Sequence, residues 1–392
     1  MNLTKYFIGQ TRFSIYSPES NAWNISGFSE NDYIAHLYSD ERLLLRMKIF
    51  IDYSLPLLEQ MKKNYLYTHI VSYSSNLPEK WKKCLFDAAN KYQFIFLHEV
   101  DTYLGNPIYN ILHKQNKGMS VAYFRLDDDD LLSINYLDQL AHYNNIAFKN
   151  MAISFNKGVV AHFNKSYVDL RVCNKQFLAI GQAYIGSFIN GVLEIPLNLS
   201  HHNLDSQIPV ILDSREFTYL WTLHDEQDSN HRKNMVKVID QLAGYSTIKE
   251  DMSVEKYFPS IKTDINNFIL NRNVKIINKM NLNSYMNYIS IDCSSDIYEV
   301  NCSFETDIKV NLLKSLVVAF DFEEDVDEII GLTKSGNNNI SWYKYVNFYS
   351  GKSNISLNIT LNRINRLKGI KIFIWDEKIS NLILNKLEVI YY

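Results

Sequence analysis

The sequence predicts an α/β domain with a mostly parallel sheet over residues 1–270, followed by an all-β sandwich over residues 273–392. In the first half, apolar strand-like runs alternate with helical patterns, which is typical of parallel strands covered on both faces. From about Asn273 the pattern changes to closely spaced strand-like runs divided by Asn, Ser, Gly and Asp. A chain of 392 residues is long enough for two or three domains.

The elements of the α/β domain follow from the spacing of apolar residues. Pro56 is expected to kink or divide the helix predicted over residues 41–63. In chain order we predict a strand over 6–16, a helix over 41–63, a strand over 68–73, a helix over 79–92, a strand over 94–100, a short helix over 106–114, a strand over 121–126 and a helix over 133–142. A meander attached to the main sheet (151–156, 159–163, 167–172), a strand over 217–223 and helices over 230–244 and 254–270 follow.

Charge and composition exclude several classes of protein. The net charge is -3, so no overall basic field attracts nucleic acid. No apolar run is long enough to span a membrane, and the N-terminal segment lacks the pattern of a signal peptide. Four Cys without a CxxC pair predict neither a zinc site nor a disulfide framework. We therefore expect a cytoplasmic protein in a reducing compartment.

The strongest chemical signal is the run of four carboxylates from Asp127 to Asp130, directly after the strand over 121–126. Adjacent carboxylates repel one another, and in a folded domain they need cations nearby. Mg²⁺ and Mn²⁺ take oxygen ligands, often one or two carboxylates together with substrate phosphates. The alternatives are a solvated acidic loop and an N-cap cluster for the helix that begins near Ser133.

Several short motifs can be read together: Thr11-Arg12-Phe13-Ser14, Arg42-Leu43 with Arg46, Arg125-Leu126-Asp127 with Asp129-Asp130, and His224 with Asp228-Ser229. Together they resemble the bacterial family described as "putative rhamnosyl transferase". The resemblance spans roughly residues 5–235 and leaves the C-terminal β domain without a counterpart. It implies a glycosyltransferase-A-like (Rossmann-like) fold, a nucleotide-sugar donor and a divalent cation, Mn²⁺ or Mg²⁺.

The resemblance also implies roles for individual residues. By this resemblance, Asp127, Asp129 and Asp130 would be the metal ligands. The chemistry of sugar transfer adds His224 as a further ligand, because a ring nitrogen suits Mn²⁺, and Asp225 or Asp228 as the base for the acceptor hydroxyl, with Asp205 and Asp213 as the next candidates. The nucleotide-sugar would contact Arg12, placed where the first strand runs into its loop, and also Phe13, Ser74, Arg125, Asp127 and Asp128. The carboxyl ends of these strands should line one cleft.

For some of these residues an ordinary structural role is the alternative. Arg125 could instead form an ion pair with a neighbouring aspartate. Arg42 and Arg46 are expected on a solvated helix face, and the segment from His224 to Asp228 could be an exposed acidic helix start. In the β domain, Trp342 and Tyr343 could stack on sugar rings or pack inside the sandwich.

The expected function is metal-dependent transfer of a sugar from a nucleotide-sugar to a glycan acceptor in capsule or lipopolysaccharide synthesis. A lipid-linked acceptor would bring the chain to the inner face of the membrane without a transmembrane segment. The β domain would bind carbohydrate or position the acceptor. The alternatives are a glycan-binding protein without catalysis, and a metal-dependent nucleotidyltransferase or phosphohydrolase.

Overall fold

A computed structural model describes residues 3–16, 30–101, 107–115, 118–163, 168–197, 199, 203–223, 245–248, 250–270, 273–282, 284–327, 329, 331–337 and 339–392. These residues divide into two compact units. The first unit comprises the described residues of 1–235 and 248–266, and the second comprises those of 236–247 and 267–392. Among the described residues, no helix is both long and apolar enough to cross a membrane.

The first unit contains helices and two sheets. Its helices are α1 (Glu30–Leu37), α2 (Asp40–Met47), α3 (Leu55–Met61), α4 (Glu79–Lys91), α5 (Ile108–Leu112), α6 (Tyr136–Ala141) and α7 (Lys262–Leu270), the last running past the boundary at 266. A π-helical segment, Lys48–Ser54, joins α2 to α3, and 3-10 turns lie at Ile146–Phe148, Leu204–Ser206, Glu250–Met252, Val254–Lys256 and Pro259–Ile261.

Thirteen strands precede α7 in the described chain. They are β1 (Thr4–Phe13), β2 (Leu66–Ser74), β3 (Ile95–Val100), β4 (Met119–Asp127), β5 (Leu131–Leu132), β6 (Ala152–Phe155), β7 (Lys157–Phe163), β8 (Val168–Asn174), β9 (Ala183–Ile189), β10 (Val192–Glu194), β11 (Val210–Asp213), β12 (Tyr219–Leu223) and β13 (Ser246–Thr247). The predicted alternation of strands and helices up to residue 142 is confirmed.

The main sheet has the order β11-β6-β9-β4-β1-β2-β3, with β10 beside β9. Strands β1, β2, β3 and β4 run parallel, whereas β9 is antiparallel to both β4 and β6. The chain moves outward from β1 through β2 to β3 and then returns to the opposite side of β1 as β4. In such sheets, ligands bind in the crevice at the carboxyl ends of the two strands where the order reverses. Here those strands are β1 and β4.

The helical segment after α1 shows how Pro56 acts. The proline lies in the first turn of α3, directly after the π-helical segment Lys48–Ser54. Proline has no amide hydrogen and its ring clashes with the carbonyl four residues earlier. A π-helical widening is one way in which a helix passes such a point. The proline therefore alters the helix without dividing it.

Two predictions for the first unit are wrong. The meander does not stay in the main sheet, because β6 belongs to it while β7 and β8 lie in the second sheet beside β12 and β5. The single Asn156 between β6 and β7 is where the chain changes sheets. The helix predicted over 254–270 is broken into two 3-10 turns and α7, since Pro259 cannot donate a helical hydrogen bond.

The second unit contains one antiparallel sheet. Its strands are β14 (Asn273–Leu282), β15 (Met286–Thr306), β16 (Leu312–Phe322), β17 (Thr333–Lys334), β18 (Trp342–Phe348), β19 (Lys352–Ile374) and β20 (Leu382–Tyr391), in the order β14-β20-β15-β19-β16-β18-β17. The predicted all-β class is confirmed. The sheet is continuous rather than divided into the two separate sheets of a sandwich, because β15 and β19 run through it as strands of 21 and 23 residues.

Side chains from one face of this sheet form the main core of the second unit. Register shifts after Ser290 and Ser295 bend β15, and the buried positions change from odd to even numbers across them. Trp342 is buried in this core and donates to the Val326 carbonyl, so it packs inside as the structural alternative predicted. Cys293 and Cys302 lie on the same strand and form no disulfide.

Candidate functional site

The acidic segment Asp127–Asp130 lies at the carboxyl ends of β1 and β4. Asp127 is the last residue of β4 and is the register partner of Arg12 on β1. Ser14 follows β1 with a left-handed backbone conformation, at a φ of 46°. The segment therefore occupies the crevice that the strand order predicts for a ligand.

Asp128 is held from two sides. Its Oδ2 accepts hydrogen bonds from the Ser14 amide at 3.1 Å and from the Ser14 hydroxyl at 3.3 Å, while its Oδ1 pairs with the Arg46 guanidinium. Burial raises the pKa of Asp128, and the charge of Arg46 opposes this shift. The carboxylate predicted to contact the nucleotide-sugar is thus engaged by the protein itself.

Arg42 and Arg46 are buried, so the prediction of a solvated helix face is wrong for both. They are 2% and 6% exposed and lie one turn apart on α2. Arg42 donates to the Ser14 hydroxyl at 2.9 Å and to the Leu37 carbonyl at 3.1 Å. The physical reason is charge: buried carboxylates need cationic or hydrogen-bonding partners, and α2 supplies two guanidiniums.

Asp129 and Asp130 connect the segment to β12. Asp129 Oδ2 lies 3.0 Å from an Arg46 nitrogen, and the Asp129 carbonyl accepts a hydrogen bond from the Thr222 hydroxyl. Asp130 Oδ1 accepts from the Thr222 amide at 2.9 Å. Burial, followed by repulsion from Asp129 and Asp127, raises the pKa of Asp130 well above its usual range. Three consecutive acidic side chains, Asp128 to Asp130, are therefore buried at this end of the crevice.

Arg12 and Arg125 lie on the same face of the sheet, together with Asp127. Arg12 belongs to β1 itself rather than to the loop after it. Arg125 forms an ion pair with Asp127 at 3.5 Å, with both side chains partly exposed, as the structural alternative for Arg125 predicted. Although Arg12 is an exposed residue, partial desolvation and then the charge of Arg125 lower its pKa. Two cationic groups thus stand close together beside an exposed carboxylate.

A buried polar chain lies beside these arginines. The Tyr123 hydroxyl donates to Gln10 Oε1 at 2.7 Å, and Gln10 Nε2 donates to the Ser72 hydroxyl at 2.9 Å. Gln10 is the register partner of Arg125, so its side chain leaves the sheet on the same face. Strands β1, β2 and β4 thereby carry polar groups towards their carboxyl ends, where a polar ligand could be bound.

The remaining predicted contacts with the nucleotide-sugar are less accessible. The Phe13 side chain is fully buried and packs against Phe50, with ring centroids 5.8 Å apart. Ser74 ends β2 and is buried, with its hydroxyl accepting from the Asn76 amide. A ligand could contact Phe13 through its backbone only, because its ring is part of the core.

His224, Asp225 and Asp228 lie outside the described residues. Within the described chain, no three His, Cys, Asp or Glu side chains converge on a point that could hold a metal ion. Of the substitute bases, Asp205 lies in an exposed 3-10 turn. Asp213 accepts hydrogen bonds from Arg215 and from Tyr143, which lower its pKa to about 2. Such a carboxylate is a weak base.

The helical spacing of Arg42 and Arg46 indicates that both arginines lie on the buried face of α2, contrary to the predicted solvated face. Arg42 and Arg46 are four residues apart, next to the apolar pair Leu43 and Met47, so all four share the buried face of α2. Leu44, on the opposite face, is 60% exposed. A cationic pair on a buried stripe, in a chain with a run of four carboxylates, predicts an ion-pair network.

No curated protein sequence was found to match this chain. Among solved structures, S. aureus TarS 1–349 in complex with UDP-GlcNAc aligns with a TM-score of 0.31 and 9% identity, covering 60% of this chain and 62% of that chain. A further S. aureus TarS structure aligns with a TM-score of 0.28 and 9% identity, over 97% and 85% of the two chains. HddC from Yersinia pseudotuberculosis aligns with a TM-score of 0.22 and 13% identity, over 56% and 90%. Scores this low carry no argument about the present chain.

The family comparison is decisive. The model of the family described as "Putative rhamnosyl transferase" matches residues 6–236, more than half of the chain. The match includes β1, α2 and β4, and therefore Arg12, Arg46 and the acidic segment. The chain belongs to this family.

Proposed function

We propose that this protein is a glycosyltransferase that binds a nucleotide-sugar donor at the carboxyl ends of β1 and β4, in a glycosyltransferase-A-like first unit. One observation carries the proposal: Asp127, Arg12 and Arg125 stand together at the point where the strand order reverses. Arginine side chains bind phosphate oxygens through two parallel hydrogen bonds. The two guanidiniums would therefore bind the diphosphate of the donor.

We further propose that a divalent cation, Mn²⁺ or Mg²⁺, binds at the acidic segment together with the diphosphate. The chemistry of the donor set suits such an ion, because carboxylate oxygens are the ligands that these ions prefer and four carboxylates follow one another over Asp127–Asp130. Asp127, Asp129 and Asp130 are the candidate ligands; because no three such side chains converge in the described chain, one or two of them would hold the ion, with His224 as a further ligand. Such an ion acts as a Lewis acid that stabilises the leaving diphosphate. One or two carboxylates are enough when phosphates complete the coordination.

The remaining chemistry would come from the chain itself. Asp225 or Asp228 would accept the proton from the acceptor hydroxyl, a role that requires a carboxylate within hydrogen-bonding distance of that hydroxyl. The pKa of about 2 makes Asp213 unsuited to this role. We propose a bacterial surface glycan, in capsule or lipopolysaccharide, as the acceptor. A lipid-linked form of it would hold the cytoplasmic protein at the inner face of the membrane.

For the second unit we propose acceptor binding on the face of the sheet opposite to its main core. Tyr343 and Tyr345 contact each other edge to face at 5.2 Å there, beside Phe373. Tyr288 is 47% exposed and donates to Asp321. Aromatic rings with hydroxyl groups and adjacent carboxylates offer both an apolar surface and hydrogen-bonding groups to a sugar.

The proposed function is tested by release of nucleoside diphosphate from a panel of donors, beginning with dTDP-rhamnose. We expect Asp127→Asn to lower turnover by about 100-fold or more, because it weakens stabilisation of the leaving group. Because the Asp127 side chain is 44% exposed, the melting temperature of Asp127→Asn should equal that of wild type. Exposed Asp52→Asn is the matched control and should keep full activity. His224→Ala in the same assay should also lose orders of magnitude. Near wild-type turnover of Asp127→Asn would refute the proposed site.

A further inference from the structure

The ion pairs of Arg46 are unusual because one guanidinium contacts two consecutive carboxylates. One terminal nitrogen pairs with Asp128 Oδ1 and the other lies 3.0 Å from Asp129 Oδ2. The side chains of Arg46 and of both aspartates are at most 9% exposed. The contact is thus a buried bridge between neighbouring acids, made from a different element of the fold.

The bridge is part of a longer network that fixes the acidic segment. Arg42 contacts the Ser14 hydroxyl, and Ser14 in turn donates twice to Asp128. On the other side, Thr222 contacts the Asp129 carbonyl and the Asp130 carboxylate. Helix α2, the end of β1 and strand β12 therefore all constrain the same four-residue segment.

Electrostatics explains why such a bridge is needed. Two buried carboxylates one residue apart repel each other, and removing their cation leaves an uncompensated charge in the interior. A guanidinium is always protonated and its planar fork can bond two oxygens at once. A lysine ammonium is a point charge and cannot reproduce that geometry.

We infer that Arg46 is a positioning residue that acts as an internal counter-cation: it holds Asp128 and Asp129 in place until a divalent cation binds the acidic segment. This inference rests on the proposed function only for the identity of that cation. Arg46 touches neither donor nor acceptor in this account. Its task is to hold the two carboxylate groups in place, which shortens the reorganisation needed when the ion and the diphosphate arrive.

The inference predicts that Arg46 and a divalent cation partly replace each other. In buffer with EDTA, Arg46→Gln should lower the melting temperature of the first unit by about 10 °C, because a buried charge pair is broken. Mn²⁺ alone should restore half or more of that loss, whereas the same Mn²⁺ concentration should raise the wild-type melting temperature much less. In EDTA, the melting temperature of Arg46→Lys should lie between those of wild type and Arg46→Gln.

Two further variants make the experiment decisive. Arg363→Gln removes an exposed ion pair with Glu324 and should leave the melting temperature unchanged, with or without Mn²⁺. The double variant Arg46→Gln/Asp128→Asn removes one charge of each sign and should be more stable in EDTA than Arg46→Gln alone. This double variant also provides a folded reference if Arg46→Gln does not fold.

The possible outcomes separate the inference from the proposed function. An equal Mn²⁺ response in wild type and Arg46→Gln, with no rescue by Asp128→Asn, would overturn the inference and reduce Arg46 to a packing role. Rescue by Asp128→Asn without any Mn²⁺ response in either protein would confirm charge compensation by Arg46 and refute the metal part of the proposed function. Rescue of Arg46→Gln both by Asp128→Asn and by Mn²⁺ would confirm the inference together with the proposed metal site.

Discussion

Gly9 lies in β1 where a buried polar triad leaves no room for a side chain. A Cβ atom at Gly9 would stand 2.8 Å from the Tyr67 hydroxyl and would collide with the His69 ring. That ring bonds the Tyr67 hydroxyl at 2.6 Å through Nδ1 and the Thr11 hydroxyl at 2.9 Å through Nε2. The absence of a side chain at Gly9 therefore permits a hydrogen-bonded histidine inside the sheet, directly before the site residues Arg12 and Ser14.

His69 predicts a specific dependence of stability on pH. Burial lowers its pKa to about 3, whereas an unfolded histidine has a pKa of about 6.5. Below that value the unfolded chain binds a proton that the folded chain does not bind, so stability is full above pH 6.5 and is lost as the pH falls towards 3. Between pH 7 and 5 this group should lower the free energy of unfolding by about 2 kcal/mol.

Urea unfolding of the first unit at pH 7, 6 and 5 measures this effect. His69→Gln retains hydrogen-bonding groups but cannot titrate, so its stability should fall with pH by about 2 kcal/mol less than that of wild type. His113, which is exposed and stacks on Tyr109, is the matched control, and His113→Gln should follow wild type. If the free energy of unfolding falls equally with pH in wild type and His69→Gln, His69 is not buried as a neutral group.

At the scale of secondary-structure elements, β14 to β20 carry a complete hydrophobic core of their own. The large cluster of buried residues in the second unit draws all its members from residues 282–389. Each strand of its sheet pairs with an antiparallel neighbour in the same sheet, so none needs a partner strand from the first unit. A sheet with a sufficient apolar face can fold independently.

We therefore predict that residues 273–392 fold alone. The expressed fragment should be soluble, show β-type circular dichroism and unfold cooperatively. A shorter fragment that begins at residue 284 lacks β14 and exposes the edge of β20, so it serves as the comparison and should be less stable. Aggregation of the 273–392 fragment, together with protease resistance across residues 266–273 in the full chain, would show a single cooperative unit instead.

Most elements were predictable because their signals are local. The continuous buried run of β4 and the helical spacing in α4 depend only on nearby residues. The sheet to which β7 belongs could not be predicted, since it depends on pairing with β12, about sixty residues later. The position of the acidic segment followed from its strand. The spacing of apolar residues in α2 indicates that Arg46 lies on the buried face of the helix. That this face packs over the acidic segment is tertiary information.

At the scale of the whole molecule, the charges of the proposed site are complementary to those of its proposed ligands. The net charge of the chain is only -3, whereas four carboxylates and four arginines are brought to one end of the first unit's main sheet. Such an arrangement suits a ligand that carries both signs, as a diphosphate does together with a divalent cation. Either partner alone would meet repulsion from one half of the site, so we expect them to bind together.

The most direct test is thermal stabilisation by Mn²⁺ and nucleotides, alone and in combination. A ligand that binds the folded protein raises its melting temperature. We predict that one of UDP, GDP, dTDP or CMP, together with Mn²⁺, raises the melting temperature by more than the sum of the separate effects. Asp127→Asn should abolish this excess, and Asp52→Asn should retain it. If no nucleotide acts together with Mn²⁺, or if Asp127→Asn responds as wild type does, the proposed donor site is contradicted.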